Sequence, residues 1–155
     1  MKKLKVYLDT SIFNFVFDKS SPKEQKITAR FFEQIEAYEP YISDLVLEEI
    51  NRCPEPKKDK MLGLISQHDF EPLRLDESAQ ELAERYIDHG IIPDKYEDDA
   101  FHIAIASVND LDVILSWNFE HIVKLKTKRE VVAVNLLMGY KAIDIYSPLE
   151  VAENV

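Results

Sequence analysis

Apolar positions along the chain fall into short continuous runs and into helical stripes, and the two alternate. Leu4 to Leu8 is a brief apolar run closed by Asp9, which predicts a short buried strand over residues 4–8. A helical turn is expected around Ile12 to Phe17. A helix follows from Pro22 to Tyr38, with Ile27, Phe31, Ile35 and Tyr38 spaced along one face and Pro22 suited to its first turn. Pro40 to Ser43 reads as a second strand, and Ser43 or Asp44 caps a helix over Leu45 to Arg52. Pro54 and Pro56 stop that helix, and another spans Lys57 to Gln67. Phe70 to Leu75 is a third strand, placed at a sheet edge by Pro72. A helix capped by Asp76 or Ser78 runs to His89 and ends at Gly90; the next opens at Pro93-Asp94 and reaches Val108. Val113 to Ser116 is a fourth strand, Thr127 to Met138 a helix ended by Gly139, and Ala142 to Tyr146 a fifth strand.

Strands that alternate with helices need crossover connections, so the expected fold is α/β: a parallel five-stranded sheet flanked by helices in three layers. The 155 residues suit one domain over 1–155, because two halves would each bury too little surface. In such sheets ligands bind beyond the carboxyl ends of the strands. Asp9, the segment after Ser43 and Asn118 all fall there.

Composition narrows the class further. Hydrophobic residues make up 46% and charged residues 31%, as in an ordinary globule. No apolar stretch is long enough for a bilayer, and the start, Met1-Lys2-Lys3-Leu4, has no signal-peptide character. A single cysteine, Cys53, excludes an internal disulfide and suits a reducing, cytoplasmic setting. The net charge of −10 argues against gripping nucleic acid by electrostatics alone. Two local basic runs stand out, Lys57-Lys58-Lys60 and Lys124-Lys126-Lys128-Arg129, each also readable as a solvated surface segment.

Three acids carry the candidate chemistry. Asp9 ends the first strand, Glu49 lies in Leu45-Val46-Leu47-Glu48-Glu49-Ile50, and Asp99 opens the apolar run Ala100 to Ala106. Burying ionised carboxylates is costly unless something positive compensates them, and a divalent metal between them would. Each acid has a blander reading: Asp9 as a helix cap, Glu49 as a solvated helix face, Asp99 as a complement to a helix dipole. Neighbouring helical positions point about 100° apart, so Glu49 is preferred to Glu48 and Asp99 to Asp98, with Asp98 kept as an auxiliary. His102 and His121 are left outside the ligand set, since a helical histidine more often packs or hydrogen-bonds.

The segments Val6-Tyr7-Leu8-Asp9-Thr10-Ser11, Ile42-Ser43 through Leu47-Glu48-Glu49-Ile50, Asp99 through Ala106, and Val113-Ile114-Leu115-Ser116-Trp117-Asn118 together resemble the PIN-domain family, and within it the VapC-type toxins of toxin–antitoxin pairs. The resemblance implies a Mg²⁺- or Mn²⁺-dependent ribonuclease with Asp9, Glu49 and Asp99 as metal-holding, catalytic acids. Many members carry a fourth acid where this chain has Asn118, whose amide oxygen ligates weakly or accepts a hydrogen bond from water. Ser11, with Thr10 and Ser43, is positioned to hold water or phosphate. Arg52, Lys124 and Lys126 are the candidate RNA contacts. A cognate antitoxin and a homodimer are also implied, and no membrane. Two other readings compete. An aspartyl-phosphate phosphatase usually has a second Asp two residues after its nucleophile, where this chain has Ser11. A catalytically weakened domain that only binds RNA or a partner is favoured by Asn118 and the acidic balance.

Overall fold

The computed structural model describes residues 2–152, so residue 1 and residues 153–155 of the expected 1–155 domain lie outside the described residues. The chain runs β1 (Lys5–Leu8), α1 (Thr10–Val16), α2 (Pro22–Glu33), β2 (Glu39–Ser43), α3 (Asp44–Asn51), α4 (Lys57–Ser66) and β3 (Glu71–Leu73). It continues with α5 (Glu77–Asp88), α6 (Glu97–Val108), β4 (Val113–Leu115), α7 (Leu125–Leu137), β5 (Asp144–Tyr146) and α8 (Pro148–Ala152). The five strands form one parallel sheet in the order β3-β2-β1-β4-β5, with Tyr7 paired to Tyr41 on one side and to Ile114 on the other. β1 is therefore central, and its residues Val6, Tyr7 and Leu8 are buried on both faces. The sheet sits between two groups of helices, one drawn from α1–α4 and α8, the other from α5–α7. This is the expected three-layer α/β fold.

The local reasons are those the residue pattern suggested. Pro72 does occupy the edge strand, where a missing N–H costs no ladder bond. Ser43 caps α3 by accepting from Val46 N–H at 3.3 Å, and Asp76 caps α5 by accepting from Ala79 N–H at 2.9 Å. Gly90 ends the α5 segment at φ +72°, a conformation that L side chains rarely adopt.

Several boundaries shift by a few residues, and three departures from the expectation are larger. The helix expected over Pro22 to Tyr38 stops at Glu33, and Ile35–Ala37 form a 3₁₀ turn. Ile35 is still buried, but the chain must tighten there because Glu39 already pairs with Lys5. A second 3₁₀ turn, Asp94–Tyr96, precedes α6. Helix α8 was not anticipated, although Ser147-Pro148-Leu149-Glu150 carries its signal. Pro148 takes the first turn, and Glu150 Oε1 reaches back to Ser147 N–H at 3.3 Å.

One buried polar knot joins α5, α6 and α7. Tyr86 donates to Asn135 Oδ1, and Asn135 Nδ2 donates to Ser107 Oγ at 2.9 Å and to the Lys141 carbonyl at 3.3 Å. Tyr86→Phe leaves the Asn135 oxygen buried without a donor. We expect it to cost about 1–3 kcal/mol, read as a lower urea midpoint at unchanged slope; an unchanged midpoint would show that the knot carries no net stability.

Candidate active site

Asp9 occupies the N-cap position of α1, yet its carboxylate makes no capping bond. Both oxygens are used otherwise: Oδ1 accepts from Ser11 Oγ and Oδ2 from Ser116 Oγ, each at 2.5 Å. The two hydroxyls are themselves held, since Ser11 Oγ accepts from Trp117 N–H and Ser116 Oγ from Asn118 N–H, both at 2.9 Å. The turn after β4 thus grips the turn after β1. Burial pushes the Asp9 carboxyl above the ordinary aspartate range; His102 and the two serines oppose that shift, and the charge of Glu49 adds to it. Ser11 was expected near the site, whereas Ser116 read only as the end of a strand.

Glu49 comes in from α3 and is tied to both of the other acid-bearing segments. Its Oε1 accepts from Thr10 Oγ1 at 2.7 Å, beside Asp9, and meets His102 Nε2 at 2.5 Å, one turn beyond Asp99. Oε2 makes no hydrogen bond among the described residues. Burial alone raises a carboxyl pKa, but the bond and charge of His102, with Thr10 and Arg52, outweigh it and hold Glu49 below its usual value. Glu48 points away, exposed, and pairs with Arg52 at 3.1 Å.

Asp99 projects from the first turn of α6. Burial raises its pKa, His102 and His121 oppose the rise, and the negative charge of Asp9 reinforces it. Asn118 stands beside Asp99 and favours its ionised form. Its amide oxygen accepts from His121 N–H at 2.9 Å. At the expected fourth-acid position the chain thus places an amide whose oxygen already has a partner. His121 is buried against Tyr96, ring centroids 4.1 Å apart, and its Nε2 has no hydrogen-bond partner, Glu120 Oε1 standing 3.5 Å away without suitable geometry.

Asp99 opens into a groove of about 480 Å³ lined by Arg52, Lys95, Tyr96, Glu97, Asp98 and Asp99. Arg52 reaches Asp98 at 3.9 Å, so the auxiliary Asp98 anchors a rim cation and stands at the mouth rather than among the three acids. Lys95 and Tyr96 were missed from the sequence because they lie on an exposed turn without periodicity. Lys126 is drawn elsewhere: it donates to the Gly90 carbonyl at 3.2 Å and lines a different hollow with Leu125, Arg129, Glu130 and Ala133. Lys124 sits at the N-cap of α7 and is not among the groove residues. Among the described residues, no group of three or more His, Cys, Asp or Glu side chains is arranged to hold a metal ion.

The profile of the PIN domain matches residues 6–123, from the first residues of β1 through the turn that carries His121. The chain belongs to the PIN-domain family. PIN domains are generally nucleases, and such nucleases generally use divalent metal. Solved structures agree on the fold. VapBC2 from Rickettsia felis, bound to a DNA fragment from its promoter, shares 12% identity over 93% of this chain and 98% of that one, with a TM-score of 0.58. FitAB bound to an IR36 DNA fragment gives 14% identity, 92% and 94% coverage and 0.57. DNA-bound VapBC from Salmonella typhimurium gives 16% identity, 94% and 98% coverage and 0.54. At such identities the likeness shows the fold alone. Comparison with curated proteins finds no match. No helix among the described residues is long and apolar enough to cross a membrane.

Proposed function

We propose that this PIN domain is a Mg²⁺- or Mn²⁺-dependent endoribonuclease and the toxin of a toxin–antitoxin pair. One observation carries the reading: a single oxygen, Glu49 Oε1, bonds both to the neighbour of Asp9 and to the residue one turn past Asp99. Three acids from three separate crossover connections are thereby held within electrostatic reach of each other at the sheet edge where this fold class binds ligands.

The three acids offer carboxylate oxygens, with Glu49 Oε2 uncommitted, and these are the hard donors that Mg²⁺ and Mn²⁺ take. Asp9, Glu49 and Asp99 would hold the ion. A bound divalent cation supplies the positive charge that acidifies water and stabilises an in-line displacement at phosphorus. The chain does the rest. Ser11 and Ser116 fix both oxygens of Asp9, and Asn118 opposes the upward shift of Asp99. Arg52 and Lys95 meet phosphates at the groove rim, Tyr96 offers a face on which a base can stack, and Lys124 lies farther along the surface as a secondary contact. Nothing here reads a base edge, so cleavage specificity comes from RNA shape and single-strandedness.

An antitoxin partner follows from the resemblance to VapC-type toxins, and the −10 charge suits a basic antitoxin segment over the acidic groove. A homodimer in a reducing cytoplasm completes the proposal. The expected result is hydrolysis of mixed-sequence RNA in Mn²⁺ or Mg²⁺, abolished by EDTA and restored by excess cation. RNA binding without cleavage under every divalent cation would instead support the weakened, binding-only domain.

A further inference from the structure

We propose that His102 is the positioning residue of the acidic site: it ties back one oxygen of Glu49 so that the other faces the cation, and it couples the two helices that carry Glu49 and Asp99. The inference rests on the nuclease reading for its purpose, but its evidence is hydrogen-bond geometry alone.

His102 is only 3% exposed, and both ring nitrogens are engaged. Nε2 meets Glu49 Oε1 at 2.5 Å, and Nδ1 meets Tyr7 Oη at 2.6 Å. Tyr7 Oη meets Ser43 Oγ at 2.7 Å, and Ser43 Oγ accepts from Val46 N–H at 3.3 Å. One set of directions satisfies the whole chain with a neutral ring. Val46 N–H donates to Ser43, the Ser43 hydroxyl to Tyr7, the Tyr7 hydroxyl to Nδ1, and Nε2–H to Glu49. Every donor is used once and no hydroxyl is left over.

The chain also closes on itself. It leaves α3 at its cap, Ser43, crosses the central strand at Tyr7, passes through α6 at His102, and returns to α3 at Glu49. A packing histidine needs only shape. Here the imidazole spans a fixed gap between a strand and a carboxylate, with a donor on one side and an acceptor on the other. Because Asp99 lies one turn before His102 on the same helix, the ring also sets the spacing between Glu49 and Asp99. Ligating carboxylates are commonly held by such partners, and losing one typically costs about 10–100-fold in metal affinity.

Asn and Gln separate the two halves of the imidazole. An Asn amide stands near Nδ1 and keeps a partner for Tyr7, whereas a Gln amide reaches the Nε2 position and keeps a donor for Glu49. We expect His102→Asn to bind Mn²⁺ about 10–100-fold more weakly by calorimetry, with a matching fall in kcat and little change in KM for RNA. His102→Gln should stay within about threefold of the parent. Tyr7→Phe, which keeps the ring and removes only the hydroxyl, should weaken Mn²⁺ binding by less than His102→Asn. In metal-free protein the melting temperatures of His102→Asn, Glu49→Gln and the double variant report the tie directly. Coupled residues give a double variant no worse than the poorer single. Additive losses, or Mn²⁺ binding by His102→Asn equal to that of the parent, would overturn the proposal. If the parent itself binds no Mn²⁺ while the losses remain coupled, the nuclease reading fails and the positioning of Glu49 by His102 stands.

Discussion

Asp9→Asn is expected to abolish metal-dependent RNA cleavage while making the metal-free protein more resistant to heat. The loss of activity should exceed about 100-fold, the upper end of what removing a mere supporting partner costs a metal site. The gain in stability follows from the same burial. Asp9 is 4% exposed and shares its surroundings with Glu49 and Asp99, so its charge is opposed both by desolvation and by its neighbours. Asn keeps the shape and an acceptor for Ser11 and removes the charge. The sign of the pH dependence can be checked independently. A folded-state pKa above the unfolded one means that the native protein prefers the protonated acid. Its stabilising contribution is complete below the ordinary carboxylate range and is lost as pH rises through the raised value. Asp9 and Asp99 are raised and Glu49 is lowered, so the parent's own curve mixes opposite contributions. The difference between parent and variant reads Asp9: Asp9→Asn should lose less stability than the metal-free parent as pH climbs from the acid side toward neutrality. A variant that melts lower than the parent at neutral pH would mean that Asp9 is a structural acid whose serine bonds outweigh its charge.

Divalent cation should produce the second large effect. Anything that binds only the native state stabilises it by mass action, about 2.7 kcal/mol at a hundredfold excess over Kd. In a domain of this size each kcal/mol moves the melting temperature by about 2–4 °C. Mn²⁺ at such an excess is therefore expected to raise the parent's melting temperature by about 5–10 °C. The same cation should raise Glu49→Gln far less, and Asp99→Asn likewise, because each loses one of the three charges the ion neutralises. A thermal scan with and without chelator reads this without any RNA. An equal rise in parent and variants would place the cation elsewhere on the acidic surface.

Much of this architecture was legible in the residue pattern, and the parts that were not share a cause. Asp9, Glu49 and Asp99 were visible because each interrupts an apolar run, and an acid in apolar surroundings is expensive wherever the chain goes. The strand order's edge was visible through Pro72. His102 was visible as a residue one turn past Asp99 but not as a link, because its partners lie 53 and 95 positions away and no periodicity encodes them. Ser116 was hidden for the same reason, 107 residues from Asp9. Asn118 was read as a weaker copy of a missing acid. The structure gives its oxygen to the N–H of His121 in a local turn, which residue identity alone does not reveal. Lys126 looked like a nucleic-acid contact by charge, and a backbone carbonyl at Gly90 claims it.

The grip of Ser116 on Asp9 has a temporal side. The central strand is synthesised before the hydroxyl that completes its carboxylate, which follows 107 residues later. Contacts of such long separation form late, after most loop-closure entropy has been overcome. A nascent or truncated chain that stops short of β4 therefore lacks the hydroxyl that holds the second carboxylate oxygen of Asp9. On the proposed nuclease reading, the acidic site is complete only after β4 and the turn that carries Ser116 have been made.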